Sequence, residues 1–137
     1  MKMIKSIPAL PVHDIDAGTK FYEERFGFTC LIKKPGFSKL IRDDIEIHLW
    51  EAGDKKWKWK NLFLFLKPIH SGAETFIAGT HSCRIEVTDI HNFYDEFSKT
   101  RVLYNKTTEV EETHWGTKEF PTLDLHCNLL TFFERIR

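Results

Sequence analysis

Apolar residues recur along this chain at two periods, one helical and one extended. Ile90, Phe93, Tyr94 and Phe97 stand at i, i+3, i+4 and i+7, which places them on one face of a helix. Asp89 ahead of them predicts an N-cap, and Arg101 falls in the last turn, where a cation complements the helix dipole. Ile15, Gly18, Tyr22 and Phe26 follow Asp14 at helical spacing, with Gly27 as the stop signal. Each predicted helix follows a strand that ends in an aspartate: Leu10-Pro11-Val12-His13-Asp14-Ile15 is echoed by Ile85-Glu86-Val87-Thr88-Asp89-Ile90.

The extended period is clearest in two places. Ile45, Ile47 and Leu49 alternate with Glu46, His48 and Trp50, and Cys83, Ile85 and Val87 alternate with Ser82, Arg84 and Glu86. Each strand therefore has an apolar side and a mixed polar and aromatic side. The two halves of the chain also end alike, since Ile45-Glu46-Ile47-His48-Leu49-Trp50-Glu51 resembles Asn128-Leu129-Leu130-Thr131-Phe132-Phe133-Glu134. Strand, helix and further strands, given twice, predict an α+β fold of two βαβββ modules, about 1–70 and 80–137, with helices on one face of each sheet. The polar, aromatic side would line a cavity or face water; alternation alone fits both.

Composition narrows the picture. With 137 residues the chain makes a single domain, leaving no room for a tandem pair. Apolar residues at 42% and charged residues at 29% argue against disorder, and a formal net charge of zero gives no global field toward nucleic acid or anionic membrane. Cys30, Cys83 and Cys127 are odd in number, widely spaced and preceded by no secretory pattern, which points to a reducing cytoplasm. The apolar run Leu62–Leu66 is far too short to span a bilayer, so no membrane partner is expected. Trp57-Lys58-Trp59-Lys60 could be a nucleic-acid platform or an edge strand with snorkelling lysines; the neutral charge favours the second, and no nucleic-acid partner is expected. Ser71-Gly72-Ala73 opens a short irregular or helical piece.

The run His114-Trp115-Gly116-Thr117-Lys118-Glu119-Phe120, followed by Asp124-Leu125-His126-Cys127-Asn128 and the strand through Glu134, reads as an exposed aromatic and a glycine, a strand, a polar turn and a second strand. It resembles the W-G-x-x-x-F…D-x-x-G-N-x-x-x-F signature of the bleomycin-resistance proteins. These are small antibiotic-binding members of the glyoxalase and extradiol-dioxygenase (vicinal oxygen chelate) superfamily. Cys127 stands where that signature has a turn glycine. The resemblance extends to P-x-x-P-V-x-D-I…F-Y-x-x-x-F-G-F between Pro8 and Phe28, and to Arg42-Asp43-Asp44-Ile45. It implies mixed, curved sheets and a homodimer with ligand crevices at its interface.

The metalloenzymes of the superfamily hold one divalent cation with four ligands, one from each of four strands. The matching positions here are Ile7, His48, Ser82 and Thr131, of which only His48 is a competent ligand. A catalytic metal needs about three protein ligands, so no metal or other cofactor is expected. His13, His70, His81, His91, His114 and His126 form no H-x-x-x-H or H-x-H pair. No G-x-S-x-G elbow, phosphate loop or dinucleotide fingerprint occurs, Cys83 falls on the apolar side, and Glu46 with Glu86 reads more readily as solvated surface than as an acid and base. No catalytic residue is assigned.

The expected function is non-catalytic binding and sequestration of a planar, partly aromatic small molecule, of the bleomycin type by resemblance. The resemblance implies Phe37 and Trp115 as aromatic walls, Gly116 beside them, and His48, Trp50, Arg84 and Glu86 on the cavity face. Trp115 could instead plug the end of a barrel. Two other functions are weighed against binding: a metal-dependent lyase, transferase or oxygenase of the same superfamily, and a nucleic-acid or partner-binding module built on Trp57–Lys60.

Overall fold

The computed structural model describes residues 1–52 and 76–137. Trp57–Lys60, Leu62–Leu66, His70 and Ser71-Gly72-Ala73 lie outside the described residues. The first half contains β1 (Ala9–Val12), α1 (Ile15–Arg25), β2 (Thr29–Lys34), β3 (Phe37–Arg42) and β4 (Ile45–Glu51). The second contains β5 (Ser82–Glu86), α2 (Ile90–Lys99), β6 (Glu111–Glu112), β7 (Thr117–Leu123) and β8 (Leu129–Arg135). Among the described residues each half makes a mixed sheet of four strands, in the orders β1-β4-β3-β2 and β5-β8-β7-β6. In both, the strand before the helix pairs in parallel with the last strand, β1 with β4 and β5 with β8. That equivalence of β4 and β8 matches the likeness between their sequences.

Helix α1 begins as expected. The Asp14 carboxylate accepts from the Ala17 backbone N–H at 3.0 Å, and Gly27 ends the helix in the left-handed region at φ +74. A side chain at Gly27 would be strained, and its Cβ would lie 2.8 Å from Arg42 Nη1 and have to displace that guanidinium.

Helix α2 corrects two expectations. Asp89 sits at the N-cap position with φ 60 and its carboxylate caps nothing, being turned to the Asn92 side-chain amide. The cap comes from across the sheet: Glu134 accepts from the backbone N–H of Asp89 at 3.2 Å and of Ile90 at 3.0 Å. Those donated bonds hold the Glu134 carboxyl below the ordinary carboxylate range. Arg101 is not in the last turn, because the helix ends at Lys99 and Arg101 takes φ 60 beyond it.

The apolar sides of both sheets and both helices meet in a continuous core that runs from Leu10, Tyr22, Phe26 and Leu49 to Ile90, Phe97, Phe120 and Phe132. Phe26 at the end of α1 lies 5.3 Å from Phe97 and 6.2 Å from Phe132, so aromatic packing joins the halves. Two polar ties reinforce the joint. Arg42 forks onto Glu96 at 2.6 and 3.0 Å and donates to the Phe26 carbonyl. In the turn between β7 and β8, the buried Asp124 accepts from the Tyr22 hydroxyl at 2.8 Å, while the buried Asn128 amide donates to the Pro11 carbonyl at 2.6 Å. Asp124 and Asn128, the polar pair of the C-terminal signature, are thus the residues that fasten the turn to the first half of the chain.

In that turn Cys127 has φ 68, a conformation that crowds any Cβ and that glycine adopts freely. Cys127→Gly is therefore expected to raise stability by about 0.5–1 kcal/mol, read as a Tm increase of a few degrees. A lower Tm would show that the cysteine side chain contributes more packing than its backbone strain removes.

Candidate functional site

The faces opposite the core carry the chemistry. On the first sheet, antiparallel register sets Phe37 against Trp50, Lys39 against His48 and Ile41 against Glu46, and one member of each pair projects beside the other on the same face. Phe37 lies 4.6 Å from Trp50 and 5.1 Å, edge-on, from His48. Trp50 stays 45% exposed. Below them Glu46 accepts from Lys5 at 2.9 Å, lies 2.7 Å from His48 Nε2 and has Lys39 at 3.8 Å. The Lys5 hydrogen bond first, then the His48 contact and the Lys39 charge, hold the Glu46 carboxyl below the usual range.

The second sheet repeats this arrangement with different residues. Arg84 on β5 forks onto Glu119 on β7, at 2.7 and 3.3 Å, and its guanidinium lies 4.7 Å over the Phe133 ring. Glu86 pairs with Arg135 at 3.2 Å. Trp115 occupies the turn that leads into β7. The Thr113 N–H donates to the Thr117 carbonyl at 2.8 Å, the Thr117 N–H donates to Thr113 Oγ1 at 3.1 Å, and Gly116 turns at φ +89 with open space around its Cα. The indole is 59% exposed and meets only the edge of His114 at 4.7 Å among the ring contacts of the described residues. The barrel-plug alternative requires a buried ring, and this one is held out in solvent.

The expected residues thus fall into two clusters. Phe37, His48 and Trp50 stand together on the first sheet; Arg84 stands near the Trp115-Gly116 turn on the second, and Glu86 is turned toward Arg135. Both sheets bury their other side in the shared core, so the two clusters open outward from it. Cavities of about 800 Å³ and about 290 Å³ lie along Glu86, Val87 and Thr88, and neither is lined by Trp115, Phe37, His48 or Trp50. Sequence reading passed over Lys5, Lys39, Phe133 and Glu119. The last was legible, since Thr117, Glu119 and Pro121 alternate with Lys118, Phe120 and Thr122 along β7.

The superfamily metal positions do not fit a cation. Ile7 has no donor atom, Ser82 and Thr131 offer neutral hydroxyls, and the His48 imidazole is already engaged by Glu46. Among the described residues no group of three or more His, Cys, Asp or Glu is arranged to hold a metal ion. Cys83 faces the core, and burial pushes its thiol up to about 11, far from a reactive thiolate. Among the described residues no helix is long and apolar enough to cross a membrane.

Paired mixed sheets of this order, each with a helix on one side, define a protein of the glyoxalase, bleomycin-resistance and dioxygenase fold. A solved member from Nocardioides, a glyoxalase/bleomycin resistance protein/dioxygenase, superposes with a TM-score of 0.68 at 17% identity, covering 100% of this chain and 86% of that one. Within that fold the chain belongs to the bleomycin resistance protein family. It is 39% identical over 135 residues to the bleomycin resistance protein of Geobacillus stearothermophilus, covering 98% of this chain and 99% of that protein. The family model described as bleomycin resistance protein-like N-terminal matches residues 8–37. A bleomycin-binding protein solved in complex with bleomycin superposes with a TM-score of 0.69 at 21% identity, covering 97% of this chain and 99% of that one.

Proposed function

We propose that this chain, acting as a single domain of two modules, binds and sequesters a bleomycin-type antibiotic without changing it chemically, in crevices formed between two copies. The observation that carries this reading is the Trp115 ring, held outward by a hydrogen-bonded turn beside the Arg84 guanidinium. A planar heteroaromatic group would stack on the indole, and the polar parts of the ligand would meet the guanidinium and the Phe37, His48 and Trp50 cluster. Gly116 leaves room for close approach, and Glu86 stands at the edge. Trp50 and Trp115 stay exposed in the single chain, which supports closure by a second copy. Family membership and a solved relative holding bleomycin support the ligand. The free thiols of Cys30, Cys83 and Cys127 support a reducing, cytoplasmic setting.

Titration of the protein with bleomycin by calorimetry tests the reading. The expected result is saturable binding with unaltered antibiotic recovered afterwards. At a hundredfold excess over Kd, the ligand should add about 2.7 kcal/mol of stability. No saturable binding would end the proposal. Sedimentation is expected to give twice the 16.2 kDa chain mass at micromolar concentration. A monomer that still binds would remove the crevice between copies.

A further inference from the structure

The two features assigned to the ligand, the Trp115 turn and the Arg84 guanidinium, converge on one carboxylate, that of Glu119. Glu119 Oε2 accepts from Arg84 Nη2 at 2.7 Å and from Thr117 Oγ1 at 2.8 Å, while Oε1 accepts from Arg84 Nη1 at 3.3 Å. Thr117 in turn lies 2.8 Å from Thr113 Oγ1. The carboxylate can only accept, so the Thr117 hydroxyl proton points to Glu119 and Thr113 is the donor in the threonine pair. A directed chain therefore runs from Thr113 through Thr117 to Glu119, spanning the turn that carries Trp115. The Trp115 indole adds to the interactions that, led by Arg84, keep the Glu119 carboxyl below its ordinary range.

Exposure divides the roles. The Glu119 side chain is 16% exposed and that of Arg84 is 48% exposed. Glu119 has its oxygens committed to Arg84 and Thr117, whereas the more exposed Arg84 side chain makes no other hydrogen bond among the described residues, and the fork and the Phe133 ring fix its plane. An exposed ion pair alone adds little to stability, and orienting two groups is a separate effect.

We propose that Glu119 is a positioning residue of the binding site, gripping Arg84 directly and the Trp115 turn through Thr117 so that both are preorganised for a planar polar ligand. This rests on the proposed antibiotic-binding function and adds a residue that acts without touching the ligand. The test combines Glu119→Ala with Trp115→Ala in a double-mutant cycle, titrated with bleomycin. Glu119→Ala is expected to weaken binding on the order of tenfold alone, and by a clearly smaller factor once Trp115 is gone, the remainder acting through Arg84. Equal losses in both backgrounds would overturn the proposal. Should Glu119→Ala not fold, Glu119→Gln carries the same comparison, since it keeps the side-chain shape and loses the second acceptor.

A ligand-free readout separates this inference from the function it rests on. Subtracting the emission of the matching Trp115→Phe protein isolates the Trp115 signal from the other tryptophans. That component is expected to shift and to become more accessible to acrylamide in Glu119→Gln. An unchanged Trp115 component would overturn the positioning role. If wild-type protein failed to bind bleomycin, the proposed function would fall, and this spectrum would still decide whether Glu119 sets the turn.

Discussion

Phe97→Ala is expected to destabilise the protein by about 3–5 kcal/mol, at the upper end of what a single core truncation costs. Phe97 is 1% exposed and lies 4.8 Å from Phe132, 5.3 Å from Phe26, 5.8 Å from Phe93 and 6.3 Å from Phe120. The Arg42 guanidinium sits 5.8 Å from its ring. Three of these partners and the ring itself belong to the second half of the chain; Phe26 and Arg42 belong to the first. Removing the ring leaves a cavity at the joint, in a domain whose total stability is on the order of 5–15 kcal/mol. Urea denaturation at low temperature measures the difference. A loss under about 1 kcal/mol would mean that the two halves are not joined through this aromatic cluster.

Trp115→Ala should do the reverse, leaving stability nearly unchanged and weakening bleomycin binding by roughly tenfold or more. At 59% exposure the indole has little burial to lose on truncation. Its stacking on a planar group, with water excluded from both faces, is worth on the order of 1–3 kcal/mol. One mutant read by two methods decides the matter. Unchanged affinity with a large fall in Tm would remove Trp115 from the site and leave the binding proposal without the residue that carries it.

These two aromatic positions also mark where sequence reasoning was strong. Phe97 was legible as core because Ile90, Phe93, Tyr94 and Phe97 share one helical face, and such a stripe must be buried against something. Trp115 was legible as exposed because a Trp-Gly step outside a strand has no period to place it in a core. Cys127 was legible through the glycine expected in its place, and its φ of 68 gives the physical reason for that glycine.

The helix α2 cap was misread for an equally physical reason. A side chain preceding a helical stripe suggests capping by the residue itself, whereas the left-handed backbone of Asp89 swings its carboxylate away from the amides. Glu134 is distant in sequence and reaches those amides only because β8 lies beside β5. Arg101 was misplaced because periodicity fixes a face far better than it fixes an end.

Periodicity alone, then, determined that the chain builds strand, helix and strands twice, and which side of each strand is apolar, since burial imposes those repeats residue by residue. Partners distant along the chain were decided only by the tertiary structure: the Arg42–Glu96 fork, the Tyr22–Asp124 bond and the convergence of Arg84 and Thr117 on Glu119. Such contacts depend on register between strands and on the angle at which the halves pack. A linear sequence holds those quantities only through the sum of all its interactions, so no local pattern reveals them.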